Sequence, residues 1–190
     1  MKFAKKLGVL GLAGIAISAF SATPTLAQSV ADFYKGKTIT MWVGYSPGGG
    51  YDTYARTVAR YMTNHIPGNP KIVVKNKPGA GSMLVANELY NVLPKDGTAI
   101  GVIGRGMPME PLLGNSSAKF DASKFNWLGS ANNEVSVCVS MKSTGITDWK
   151  QLLTKQMTVG GTGAGADTDT FPKVMNNILG TKLKLVTGYP

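Results

Sequence analysis

The sequence is poor in the residues on which most enzyme chemistry rests. Its 190 residues include one cysteine, Cys138, and one histidine, His65. A single cysteine excludes an intramolecular disulfide framework, and a single histidine leaves little material for a metal site or a catalytic dyad. No metal or cofactor is expected. No G-K-[ST] follows any glycine loop, which excludes a nucleotide-binding P-loop. Past the first residues no apolar run reaches eighteen, so the remainder is expected to be soluble. Charged residues are scarce at 16%, against 43% apolar, the composition of a folded chain. Glycine is plentiful, with 24 residues beside 10 prolines, too aperiodic for a filament and suited to many tight connections.

The formal charge of +10 includes Lys2, Lys5 and Lys6, the basic start of an export signal. Leu7 to Phe20 is apolar and rich in Gly and Ala, and Thr25-Leu26-Ala27 offers small residues for cleavage. The apolar run would rise only ~21 Å as a helix, short of a ~30 Å hydrocarbon core. We therefore expect a signal peptide over 1–27, no permanent membrane anchor, and a periplasmic mature chain. Lys71, Lys75 and Lys77 cluster without interleaved aromatics, which reads as solvated surface and gives no nucleic-acid partner.

Strands and helices alternate along the mature chain. Ile39 to Val43 reads as a strand, followed by the turn Ser46-Pro47-Gly48-Gly49-Gly50 and a helix from near Asp52 to Met62. Ile72 to Val74 and Ile100 to Ile103 are further strands, separated by a helix capped by Ser82. This is the pattern of βαβ units whose parallel strands are buried on both faces. After an irregular stretch from Gly106 to Asn133, Val135, Val137, Val139 and Met141 alternate with polar residues, predicting a strand with Cys138 packed and inert. A short helix from Thr147, a strand at Met157 to Val159, a glycine turn from Gly160 to Ala166 and a helix starting between Asp167 and Thr170 complete the second block, with a short strand at Lys184 to Val186.

Both blocks thus repeat one device, a strand, a glycine-rich turn and a helix N-terminus. Unpaired N–H groups and a partial positive charge at such a terminus suit an anion, and glycines let it reach the backbone. Two enzyme motifs overlap these turns. Gly44-Tyr45-Ser46-Pro47-Gly48 matches the G-x-S-x-G elbow, but Pro47 lacks the N–H that should complete the oxyanion hole. An exported serine hydrolase using Ser46 is the alternative from a different class. Gly161 to Ala166 fits G-x-G-x-x-A, yet Gly180, Thr181 and Lys182 stand where an acidic ribose ligand belongs.

The residues Lys37 to Asp52, with P-G-G-G-x-D, resemble the opening strand and loop of the tripartite tricarboxylate transporter substrate-binding proteins, the Bug-type periplasmic receptors. Val73-Val74-Lys75-Asn76-Lys77-Pro78-Gly79-Ala80-Gly81-Ser82 resembles their V-V-x-N-x-P-G-A-G segment, and Pro94-Lys95-Asp96-Gly97-Thr98 their P-x-D-G turn. The resemblance implies a periplasmic-binding-protein-like fold of type II, α/β with two parallel-rich lobes, at 28–134 and 135–190. It implies a receptor, not an enzyme, that captures a small carboxylate and delivers it to a two-component membrane permease. Carried over residue by residue, the ligand contacts are Tyr45, Ser46, Pro47, Gly48, Gly49 and Gly50, then Asp52, then Gly161, Thr162, Gly163, Ala164, Gly165 and Ala166. Arg105 departs from the family pattern and is a candidate fork to a ligand carboxylate. Asp167 and Asp169 also depart from it, and put a strongly anionic ligand at that end in doubt. The resemblance stops at Pro190, where family members continue, so we expect a C-terminally truncated receptor with an incomplete second lobe. Such a fragment should bind a hydrophobic dye and melt without a sharp transition.

Overall fold

Two parallel sheets carry the architecture of residues 28–189, which the computed structural model describes; the expected export signal lies outside them. A short helix α1 (Val30–Tyr34) leads into β1 (Thr38–Val43), α2 (Gly50–Met62), β2 (Lys71–Asn76), α3 (Met83–Asn91) and β3 (Ala99–Val102). The strands pair in the order β2-β1-β3, all parallel. The chain leaves β1 toward one neighbour and then crosses back past it to the other. Crossovers of the usual hand therefore put α2 and α3 on opposite faces. Packing agrees: Met41 and Val43 of β1 lie with Ala55 and Ala59 of α2, flanked by Ile72, Val74, Ile100 and Val102. On the other face Leu89 of α3 crosses Gly101, where a Cβ would meet Leu89 Cγ at 3.1 Å.

The strands are less buried than their composition predicts. Ile39, Met41 and Val43 are buried, while Thr40 and Trp42 on the opposite face are half-exposed. Lys75 and Lys77 lie 5.4 and 5.9 Å from the Trp42 ring, and Lys77 also pairs with Glu88 of α3. Two of the three clustered lysines thus have local partners in the fold. A second cluster, Met83, Ala86, Met107 and Phe120, packs the irregular stretch beneath α3.

The second sheet consists of β4 (Met157–Gly161) and β5 (Leu183–Thr187), parallel, joined through α4 (Asp167–Val174) and one wide turn of π-helix, Met175–Leu179. Its core is Ile146, Leu152, Met157 and Leu183. Ahead of it, Asp148 caps a 3-10 turn, Trp149–Leu153, through a capping box with Gln151. Pro172 falls in the second turn of α4, where it lacks the N–H that would reach back to Thr168.

The expected strand at Val135–Met141 is not formed. The segment forms no helix and has no ladder partner among the described residues, and Val135 is 88% exposed. Alternation selects a face only when a neighbouring strand fixes the register and a second layer covers it. Here the segment links the two sheets, held by the Ser136 hydroxyl beneath Arg105 and by the Ser140 hydroxyl donating to the Ile146 carbonyl. Cys138 is consequently exposed instead of packed.

Candidate functional site

The carboxyl ends of β1, β2 and β4 release three glycine loops toward the same place. In open parallel sheets that end, next to the strand where the order reverses, is where crevices form. A cavity of about 230 Å3 lies there, lined by Gly44, Tyr45, Pro78, Gly79, Ala80, Gly81, Thr162, Gly188 and Tyr189. Tyr45 from the first expected loop and Thr162 from the second therefore do converge on one cavity.

The loop after β2 is the wall that the sequence did not assign to the site. Gly79 to Ser82 turns sharply, with Ala80, Gly81 and Ser82 all at positive φ, an unfavourable conformation for the two residues bearing a Cβ. The clue in the sequence was the run Pro78-Gly79-Ala80-Gly81 directly after a strand. Ser82 is the N-cap residue of α3, but its hydroxyl accepts from the Gly104 amide instead of from its own helix. That bond ties the β2 loop to the end of β3.

Glycine lets the two sheets meet here backbone to backbone. A Cβ on Gly163 would sit 3.0 Å from Ala80 Cα and from Gly81 N, and one on Gly81 would sit 2.9 Å from the Ala164 carbonyl oxygen and the Ala166 amide. Gly165 fits against Met107 and Glu110, and Gly161 against the Asp169 carboxylate. Gly161, Gly163, Gly165 and Ala166 are buried, with Ala164 at the surface.

The first loop is arranged differently. Ser46 is half-buried and Pro47, Gly48, Gly49 and Gly50 are exposed at the rim. The α2 helix begins at Gly50 with Gly49 as its N-cap, two residues earlier than expected. The amides of Tyr45, Ser46, Gly49 and Gly50 have no acceptor among the described residues. Tyr45 stacks on Tyr51 with centroids 4.2 Å apart, and its hydroxyl donates to the Gly81 carbonyl. Burial first, and then the adjacent Tyr51, push the Tyr45 phenol above its ordinary range. It stays a neutral donor that locks the first loop to the loop after β2.

Asp52, a sequence candidate for ligand contact, turns inward. It is 3% exposed and accepts from Arg56 Nε at 2.9 Å, from the Gly48 amide at 2.8 Å and from Asn76 Nδ2 at 2.8 Å. Asn76 also donates to the Tyr45 carbonyl, so one carboxylate braces the whole first loop. The Arg56 bond chiefly, then those from Gly48 and Asn76, hold Asp52 well below the ordinary carboxylate value of 3.8. A depressed carboxyl stabilises the fold above its unfolded pKa, and that stabilisation is lost as pH falls through the folded one. Urea midpoints should therefore fall on acidification below about pH 4. Asp52→Asn should flatten that limb while lowering stability at neutral pH; an identical acid profile in the variant would refute the bracing role.

Arg105 corrects a second expectation. Its fork is made to the chain itself: Nε donates to Asp167, Nη1 to Glu134 at 2.9 Å and Nη2 to the Ser136 hydroxyl at 2.6 Å. It joins the end of β3, the linking segment and the start of α4. Asp167 is thus an ion-pair partner, and Asp169, buried, accepts from the Gly163 amide at 2.9 Å. Neither acts as the N-cap of α4, a position held by Ala166.

Ser46 and His65 lie beyond opposite ends of the 13-residue α2, a span of ~20 Å, so the G-x-S-x-G match has no histidine base. Among the described residues no group of His, Cys, Asp and Glu could hold a metal ion, and no helix is long and apolar enough to cross a membrane.

Parallel sheets whose carboxyl-end loops wall a cleft make this an open α/β fold. Two solved structures share it: a periplasmic transporter, with TM-score 0.57 and 20% identity over 81% of this chain, and the periplasmic binding protein BugD, with TM-score 0.56 and 19% identity over 81%. This chain covers 53% and 52% of those two. In sequence the chain is similar to two known proteins. It is 33% identical over 99 residues to the UPF0065 protein in the tcbD-tcbE intergenic region of Pseudomonas sp. (strain P51), and 36% identical over 85 residues to protein BugT of Bordetella pertussis. It spans 28% and 23% of the length of those two relatives. No model of a known protein family matches it.

Proposed function

We propose that this chain supplies the binding face of an exported, periplasmic solute receptor, which captures a small carboxylate and passes it to a two-component membrane permease of the tripartite tricarboxylate type. Residues 28–134 and 135–190 are read as its two lobes. The observation that carries the reading is the cavity between the sheets, walled by the loops after β1, β2 and β4. The open amides of Tyr45, Ser46, Gly49 and Gly50 at the start of α2 support an anionic group there, because backbone N–H groups and the helix dipole act on it together. The relatives and the shared fold support a receptor in place of an enzyme.

The test is calorimetric titration of the full-length protein with a panel of small carboxylates. Gly49→Val is the informative variant. A Cβ at Gly49 meets only the Ser46 carbonyl oxygen, at an ordinary 3.6 Å, so the fold should survive. The branched side chain should nevertheless crowd the amides and weaken binding roughly tenfold or more. Native-like circular dichroism with undiminished affinity would remove the first loop from the site.

A further inference from the structure

The two glycine loops look alike in sequence, but their charge balance differs: Asp52 beside the first is paired with Arg56, whereas Asp169 beside the second has no ion-pair partner among the described residues. In the second loop the Thr162 amide donates to the Thr168 hydroxyl and the Gly163 amide to the Asp169 carboxylate, so two of the amides nearest the cavity already have acceptors. The first turn of α4 carries both Asp167 and Asp169. Among the described residues the cation paired with an acid of this wall is Arg105, and it is shared between Asp167 and Glu134. Asp169 has no cationic partner there, and its carboxylate sits directly behind Gly161, the residue preceding Thr162 of the cavity lining. Lys77, on the side of the first sheet, is engaged by Glu88. The acid beside the first wall is therefore neutralised by Arg56, while the second wall presents surplus negative charge.

We infer that the ligand carries a single carboxylate, held at the first loop, and turns a neutral or cationic group toward Thr162. A second carboxylate at that end would meet occupied amides and like charges in a partly desolvated cleft, where repulsion is several times stronger than in water. The raised Tyr45 phenol, to which the nearby Asp167 charge contributes a minor part, is in keeping with this polarity. The inference rests on the carboxylate-receptor reading above and narrows it.

Three four-carbon acids separate the possibilities: butyrate, 4-aminobutyrate and succinate differ chiefly in the charge at the far end. Titrated into the full-length protein, butyrate or 4-aminobutyrate should bind roughly tenfold or more tightly than succinate. Succinate binding equally or better would overturn the single-carboxylate inference and leave the receptor reading standing. Binding of none of the three would overturn the carboxylate reading itself, and this inference with it. Asp169→Asn keeps an acceptor for the Gly163 amide but removes the charge, so it should narrow the preference against succinate about 3- to 10-fold. An unchanged preference in that variant, folded as the parent, would refute the assignment to Asp169.

Discussion

Gly44→Ala should destabilise the protein by about 3 kcal/mol or more, at the upper end of what one methyl group does in a packed interior. Gly44 is buried at the end of β1, and its amide donates to the Val102 carbonyl. An added Cβ would overlap Ser82 Cβ and lie 2.7 Å from Ser82 Cα. Ser82 cannot move aside cheaply. It is fully buried at φ 79°, and its hydroxyl holds the Gly104 amide at 2.8 Å. Relief would have to come from separating β1 from the β2 loop, which opens the cavity floor. Urea unfolding measures the effect, with Gly49→Ala as the control because that position has room for a methyl group. Equal midpoints for the parent and Gly44→Ala would mean that the close approach to Ser82 is not a real constraint.

The second large effect is expected at Gly163. Its φ of 133° lies where a branched residue is strained, at a cost of order 1–3 kcal/mol, before any clash is considered. Valine there would also drive its Cβ against the backbone of Ala80 and Gly81. The expected outcome is separation of the second sheet from the β2 loop while the first sheet stays intact. Amide hydrogen exchange should accelerate across 80–82 and 162–166 and remain slow in β1. Retained protection in both loops would place the junction between the sheets elsewhere.

Wherever a signal was local, the sequence carried it. The parallel first sheet, α2 and α3, and a short helical turn near Thr147 follow from periodicity and from residues only a few positions apart. The second glycine turn was also legible, while its proximity to Tyr45 was implied only by the family resemblance. Features set by distant partners were not. Val135 to Met141 has the alternation of a strand, but pairing depends on what lies beside it, which no window of seven residues contains. Arg105 reads as a free guanidinium because its partner Asp167 is 62 positions away. Asp52 reads as a ligand contact because Asn76, which buries it in a network, arrives one crossover later. The β2 loop was overlooked for a related reason: its value as a wall depends on the second sheet docking against it.

The walls of the cavity are positioned by main chain, and only a few side chains project from them. Gly81 and Gly163 have no rotamers, so the docking of one sheet on the other is set by peptide geometry and not by any exchangeable group. Tyr45, Thr162 and Tyr189 project from that frame into the cavity lining. A scaffold of this kind separates two evolutionary tasks. The frame can be inherited unchanged while the projecting residues drift, giving receptors of one shape with different preferences. For a protein engineer the same division means that Thr162 and Tyr189 are the positions to randomise, and that a library built on Gly81 or Gly163 would be spent on misfolded variants.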